Sequence, residues 1–394
     1  MLNRPGPSRT SAWILLIFIY YIAAASSFGG FFTKWHFRDD SPMSLRLALD
    51  GTQKRPFVYR QLLPSTANLI DSVIPEKVKV PLLHKLAGDT PDANPIQRFF
   101  PGATDAVVPE YAVRYLIVYV MTFLSMFAAL FVIRAVCIEL IGDRVAATLA
   151  PIVISAVFPL ILTEGGYFYD MPEVLFMALG IWLTLRRRLV SLVVVVFLAT
   201  LNKESYLLFV LTLYPIAAMR YSRPQSGLLI GVLLAVAAAV NMAVKHRYMG
   251  NGGGMMEYQL AEHARFLLNP LNYLRTEINY GVSTTKGFHI LHLLLIGILA
   301  KIGWRSLPPA VRTQTWLAAL ISVPLFIAFC FKDELRNLSL LTMPFAFLVC
   351  ATISVVLAQT EKQGAHQPVM PREREPLLAQ GERASAGLTT RNST

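Results

Sequence analysis

Charge is what this sequence has least of. Only 15% of its 394 residues are Asp, Glu, Lys or Arg, where a soluble domain carries about a quarter. Cysteine is scarce as well: Cys137, Cys330 and Cys350 lie in or beside apolar runs without ligand spacing, so they read as small buried hydrophobes. There is no Walker-type phosphate loop, no dinucleotide fingerprint and no nucleophile elbow, and no internal repeat. His36, His263, His289 and His292 are scattered. The last two are three residues apart near a span end but lack acids at metal spacing. No cofactor is predicted, and a divalent metal stays open. A compact basic face with interleaved aromatics is also missing. The formal net charge of +12 is therefore not read as a nucleic-acid surface; the basic residues punctuate hydrophobic segments, as topology signals and contacts to anionic headgroups do.

What the chain has is hydrocarbon. Fifty-five per cent of it is hydrophobic, mean hydropathy is +0.50, and the apolar residues come in blocks long enough to cross a core of roughly 30 Å. The expectation is an all-α polytopic membrane protein with about ten transmembrane helices. Residues 1–12 form a short cytoplasmic N-terminus, basic through Arg4 and Arg9, before an uncleaved first span over Ala12–Phe28. A polar insert from 30 to 110 follows, with ten Lys/Arg against nine Asp/Glu. Such near-neutrality suits the outer side. Within it, Pro42–Leu49 and Tyr59–Ile74 have the spacing of interfacial helices, and the stretch after Gly88, with Asp92 and Asn94, reads as irregular loop.

Further spans are expected at 111–133, 145–163 and 172–186, the last closed by Arg186-Arg-Arg188, the strongest inside marker in the chain. The run 189–219 is 31 residues long, too long for one span and short for two, with Asn202, Lys203 and Glu204 in its middle. A single tilted helix would bury that Lys and Glu near mid-membrane at considerable cost. Two short helices meeting at the outer mouth keep them wet and return Arg220 and Arg223 to the inside. Half-length helices need protein or a cavity beside them. Spans at 227–244, 287–303, 315–331 and 338–358 complete the membrane domain, 13–358. An outer segment from Lys245 to about 286 sits between the first two of these, although Lys245-His-Arg247 opposes the positive-inside rule. The tail, 359–394, lacks a core-forming pattern and reads as a disordered cytoplasmic segment.

On this topology four acidic groups share the outer side: Asp39 with Asp40, Asp170 with Glu173, Glu204, and Asp333 with Glu334. Arg55, Arg60, Lys203 and Arg336 accompany them. A phosphate leaving group needs cations, and a hydroxyl nucleophile needs a carboxylate base. The same residues have plainer readings. Asp39 and Asp40 suit ordinary loop surface, Asp170 suits a cap for the helix beginning near Pro172 and Glu173 suits first-turn charge. Lys203 and Glu204 could be a structural pair, and Asp333–Arg336 a wet turn.

The segments Arg55-Pro-Phe-Val-Tyr-Arg-Gln-Leu-Leu-Pro64, Tyr167-Phe-Tyr-Asp-Met-Pro-Glu173, Leu201-Asn-Lys-Glu-Ser205 and Glu334-Leu-Arg-Asn337 resemble phrases in bacterial members of the GT-C superfamily of polytopic glycosyltransferases. The resemblance spans about 15–358. It implies a polyprenyl-phosphate sugar as donor, a lipid, polysaccharide or protein as acceptor, and work at the outer face of the bacterial inner membrane. It also implies that Asp39 or Asp40 is the base, without choosing between them. Tyr59 and Tyr169 join the expected cavity wall with Arg60, Asp170 and Glu204. The long loop between Phe32 and Glu110 departs from a minimal member. A polysaccharide polymerase or ligase is a close variant, and a secondary transporter is the alternative from another class.

Overall fold

The computed structural model describes residues 9–35, 37, 39–87, 94–161, 166–254, 258–279 and 281–366. Contacts gather Met1–Val355 into one unit and Val356–Thr394 into a second. The expected disordered tail lies outside the described residues from 367 onward, and so do residues 1–8 and Asp92. The first helix, α1, runs Arg9–Trp35. Short helices follow in the polar insert: α2 (Leu45–Leu49), α3 (Leu62–Val73), α4 (Glu76–Leu86) and α5 (Pro95–Phe99). The expectation of interfacial helices covers α2 and α3. It omits α4, and it reads as loop the place where α5 forms. Asn94 explains α5: its side chain accepts from the backbone N–H of Ile96 and Gln97, and Pro95 fits the first turn.

Next come α6 (Pro109–Ile141) and α7 (Arg144–Ile161). The reversal between them is local chemistry. Gly142 takes the left-handed φ of 86° that ends α6, and Asp143 Oδ1 caps α7 by accepting from Val145 and Ala146. Then α8 (Asp170–Leu185) and α9 (Leu189–Asn202) lead to the split run. Its apolar helix stops at Lys203, whose backbone is extended, and resumes as α10 (Tyr206–Thr212) and α11 (Tyr214–Ala217). The long α12 (Arg223–Arg247) starts from a Ser222–Gln225 capping box. After α13 (Leu260–Leu268), an antiparallel hairpin pairs β1 (Thr276–Asn279) with β2 (Val282–Thr285). Its alternation is short and half-exposed, and the sequence reading passes over it. Last are α14 (Ile290–Gly303), α15 (Pro309–Phe329) and α16 (Thr342–His366). The last helix runs past the expected end of the membrane domain at 358.

The protein is an all-α membrane protein apart from that hairpin. Among the described residues five helical segments are long and apolar enough to cross a membrane: Thr10–Phe31, Pro109–Ile141, Arg223–Arg247, Pro309–Phe329 and Leu335–Gln363. Shorter apolar helices, including α7 and α9, pack among them. At 1.5 Å per residue, α9 reaches only about 20 Å. A piece that short needs protein beside it, and α9 packs on α8 and α12. Large apolar side chains stand exposed along α1, α9, α12, α14 and α15, Ile14, Val190, Leu228, Leu294 and Leu320 among them. In water such faces would be a liability; in hydrocarbon they are the solvent-facing surface.

Because α6 is one unbroken helix with proline only in its first turn and reaches both ends, it serves as a ruler. Thr122 on α6 donates to the carbonyl of Phe168, in the turn before α8. Glu139 on α6 pairs with Arg186 and Arg220. The helical rise between them is about 25 Å, close to the hydrocarbon thickness.

Candidate functional site

Four connections meet at the Thr122 end. The first is the turn from Phe57 to Gln61, which delivers Arg60. The others are Tyr167–Tyr169 before α8, Lys203–Ser205 between α9 and α10, and the 3-10 turn Leu335–Leu341 before α16. Arg60 reaches Glu204 with two nitrogens, Nε at 3.3 Å and Nη2 at 3.0 Å. This is the forked geometry that guanidinium favours. Its third nitrogen donates to the Tyr169 hydroxyl, and its plane lies 4.3 Å from that ring's centre.

One layer deeper, Lys203 Nζ sits 2.7 Å from Glu173 Oε2 and 3.6 Å from Asp170 Oδ1. The other oxygen of Glu173 accepts from Ser205 at 2.7 Å and Ser339 at 2.8 Å. Arg336 donates to the Tyr169 hydroxyl at 3.2 Å, lies 3.8 Å from Asp170 Oδ1 and pairs with Glu334. Its guanidinium covers the ring of Tyr167, which stacks on Tyr169. Arg60, Tyr169, Asp170, Glu173, Lys203 and Arg336 are all buried, whereas the Glu204 side chain is 30% exposed. Glu204 is thus the most exposed acid of the group, ahead of Glu334 at 14%.

The plain reading of Asp170 as a helix cap is corrected. Its Oδ2 accepts from the N–H of Tyr167, upstream of the helix, and closes the preceding turn. Lys203 and Glu204 are adjacent but do not pair with each other. Each is matched to a distant partner instead, Lys203 to α8 and Glu204 to the first loop. Asn202 fixes the assembly by donating to the carbonyl of Tyr169. Asp333–Arg336 is no wet turn: Asp333 and Arg336 are buried, and Asp333 pairs with Arg275 at 3.3 Å. A β-carbon on Gly287 would come within 2.6 Å of Asp333 Oδ2, so that close approach requires glycine.

The first-loop acids stand apart from this cluster. Asp39 Oδ1 accepts from the Tyr115 hydroxyl at 2.6 Å and Oδ2 from the N–H of Asp105 at 2.9 Å. Tyr115 lies two turns before Thr122, a rise of about 10 Å along α6. Asp39 therefore belongs to the same end of the bundle without touching the cluster. Burial pushes its carboxyl up to about 6, against the lowering influence of those two hydrogen bonds. Asp40 is exposed. Arg55 is tied to the glycine loop after α12, through its N–H to Gly252 and its side chain to Gly253. Asn251 there also donates to the carbonyls of Gly51 and Gln53. The loop following Lys245-His-Arg247 thus joins the first loop, despite those basics. Tyr59 is half-buried in the turn that delivers Arg60.

Tyr167 and Ser205 fall inside the segments the sequence reading quotes but receive no role there, and Ser339 is outside them. Ser205 had the available signal of following the charged break directly. Ser339 had only its place one 3-10 turn after Arg336. Among the described residues no group of three or more His, Cys, Asp or Glu is placed to hold a metal.

The fold and site together define a class: a helical membrane protein with an ionic network buried where an interrupted helix meets three other connections at one end of the bundle. Compared with family models, curated proteins and solved structures, the chain matches none.

Proposed function

We propose that this chain is a GT-C-like glycosyltransferase of about ten spans in a bacterial inner membrane, taking a sugar from a polyprenyl phosphate at its outer face. The observation that supports this reading best is the Arg60–Glu204 fork at the lip of a buried network that also holds Lys203 and Arg336. Cations held by fixed partners beside hydrocarbon suit a lipid-borne phosphate, since they are already oriented when charge develops on it. Asp39 is the proposed base, because a carboxyl near 6 is ionised at neutral pH yet accepts a proton readily. In the step, the acceptor hydroxyl gives its proton to Asp39 and its oxygen bonds to the anomeric carbon. The bond from that carbon to the phosphate oxygen breaks, and its electron pair leaves with the phosphate towards Arg60. The acceptor is a lipid, polysaccharide or protein, and no cofactor enters the scheme.

The test is incorporation of label from a radiolabelled polyprenyl-phosphate sugar by the purified protein. Asp39→Asn should lower transfer by about 10²–10⁴, and Asp40→Asn should leave it near wild type. Equal transfer by both variants would remove Asp39 as base and leave Glu204 as the acid to test next. A polymerase or ligase acting on diphosphate-linked chains would instead depend on Arg60 and Arg336 more than on any acid.

One observation favours a second reading, a secondary transporter. Lys203 lies at a helix interruption between two acids of another helix, an arrangement that ion-coupled carriers also use. Uptake into proteoliposomes without covalent change would support it over transfer.

A further inference from the structure

The opposite end of α6 holds a different assembly, which the transfer reading does not use and on which it does not depend. A cavity of about 460 Å³ opens there, lined by Glu139, Leu185, Arg186, Arg187, Met219 and Arg220. Its walls come from three places: the end of α6, the turn from α8 into α9, and the turn from α11 into α12. Glu139 ties two of them together. One of its oxygens takes Arg220 at 2.5 Å and the other takes Arg186 at 2.8 Å.

Those contacts occupy one nitrogen of each guanidinium and leave most of their donors unused. Arg220 Nε is buried and has no hydrogen-bond partner among the described residues. Arg187 makes no ion pair with Glu139. It takes a left-handed backbone, φ 55°, and lays its guanidinium over the ring of Tyr221 at 5.0 Å. A left-handed arginine is uncommon, and here it turns the third guanidinium onto the α11–α12 side of the same cavity. Three guanidinium charges against one carboxylate leave an excess of two positive charges around the cavity.

The geometry points to a binding site for a phosphate group at this end, within the cavity bounded by Arg186, Arg187 and Arg220. Guanidinium forks match phosphate oxygens in shape as well as charge. The volume falls in the range of small-molecule sites, roughly 300–1,000 Å³, and exceeds what one more carboxylate would fill. Two sources supply that chemistry. The cavity lies where the apolar helices end, and Leu185 and Met219 give it an apolar flank with Val190 exposed nearby. An anionic phospholipid headgroup meets all of these conditions. A free phosphate or diphosphate meets the charge alone.

The full-length protein in detergent is titrated separately with a short-chain phosphatidylglycerol, the matching phosphatidylcholine and pyrophosphate, following binding and thermal unfolding. The expected result is at least a tenfold tighter interaction with phosphatidylglycerol than with phosphatidylcholine, weakening as salt is raised. Arg187→Gly removes the guanidinium while suiting the left-handed backbone, so it keeps the fold and should lose that preference about tenfold. Arg186→Gln is the second variant and should do the same. If pyrophosphate binds as tightly as phosphatidylglycerol, the source is free phosphate; if phosphatidylglycerol alone binds, it is lipid. Either result supports a phosphate site. No discrimination between the two lipids together with no pyrophosphate binding would overturn it, as would unchanged affinity in both variants.

Discussion

The two ends of α6 handle charge in opposite ways. At the Thr122 end, Arg60, Lys203 and Arg336 are buried, and each lies beside a carboxylate of another segment: Glu204, Glu173 and Asp170 respectively. At the Glu139 end, the Arg186 side chain is 54% exposed and two arginines share a single acid. Burying an ion costs several kcal/mol unless geometry compensates it, so the buried network depends on its partners being kept together. The Arg186 and Arg220 side chains at the Glu139 end remain partly exposed. One end is built from matched pairs, and at the other a single acid, Glu139, is shared by two arginines.

The sharpest way to break this contrast is to remove Lys203. Lys203→Met should leave Glu173 without a cation and Asp170 with Arg336 alone, and cost about 3–5 kcal/mol, read as a large fall in unfolding temperature or in folded yield. A cost under about 1 kcal/mol would mean that the pairs at the Thr122 end are as loose as those at Glu139. The fork at the lip comes next. A double-mutant cycle on Arg60→Ala and Glu204→Ala should give a coupling of about 1–3 kcal/mol in stability, and Arg60→Ala should raise the apparent KM for the lipid donor more than it lowers kcat.

Asp39 makes a smaller, pH-dependent contribution. Its folded carboxyl is raised above its usual value, to about 6, so the folded state holds the proton more tightly than the unfolded chain does. Its contribution to stability is greatest below about pH 4 and is lost as pH rises towards 6. Asp39→Asn should flatten that part of the stability profile and also remove the acidic limb, near pH 6, from the rate of transfer. An unchanged profile would place the titration elsewhere. Smallest of all, Arg187→Ala at the Glu139 end should change unfolding by no more than about 1 kcal/mol, mostly through the lost contact of its guanidinium with the Tyr221 ring.

Much of this contrast was legible in the chain. Charges interrupting an apolar run of 31 residues predict a helix break, and the break falls at Lys203. Arg186 and Arg220 both reach Glu139, so the run leaves one end of the bundle and returns to it, as the spacing of the arginines implies. Pairings were harder to read. Arg60 and Glu204 stand 144 positions apart, and nothing local in either segment specifies the other. Adjacent Lys203 and Glu204 suggest a pair in sequence, yet the break points them to different partners. The Lys245–Arg247 basics argued for the inside, while hydrogen bonds from Asn251 and Arg55 hold the following loop against the first one. Specific hydrogen bonds decide there what a statistical charge bias does not.

The account rests on the connections at the Thr122 end sharing one face, and the location of residues 187, 223 and 253 tests that most directly. Reporters fused after Arg187 and Arg223 should report the same side of the membrane, and one placed at Gly253 should report the other. A fusion after Arg223 that sides with Gly253 would make 189–219 a single crossing. It would also separate Lys203 and Glu204 from the acids and arginines they contact here.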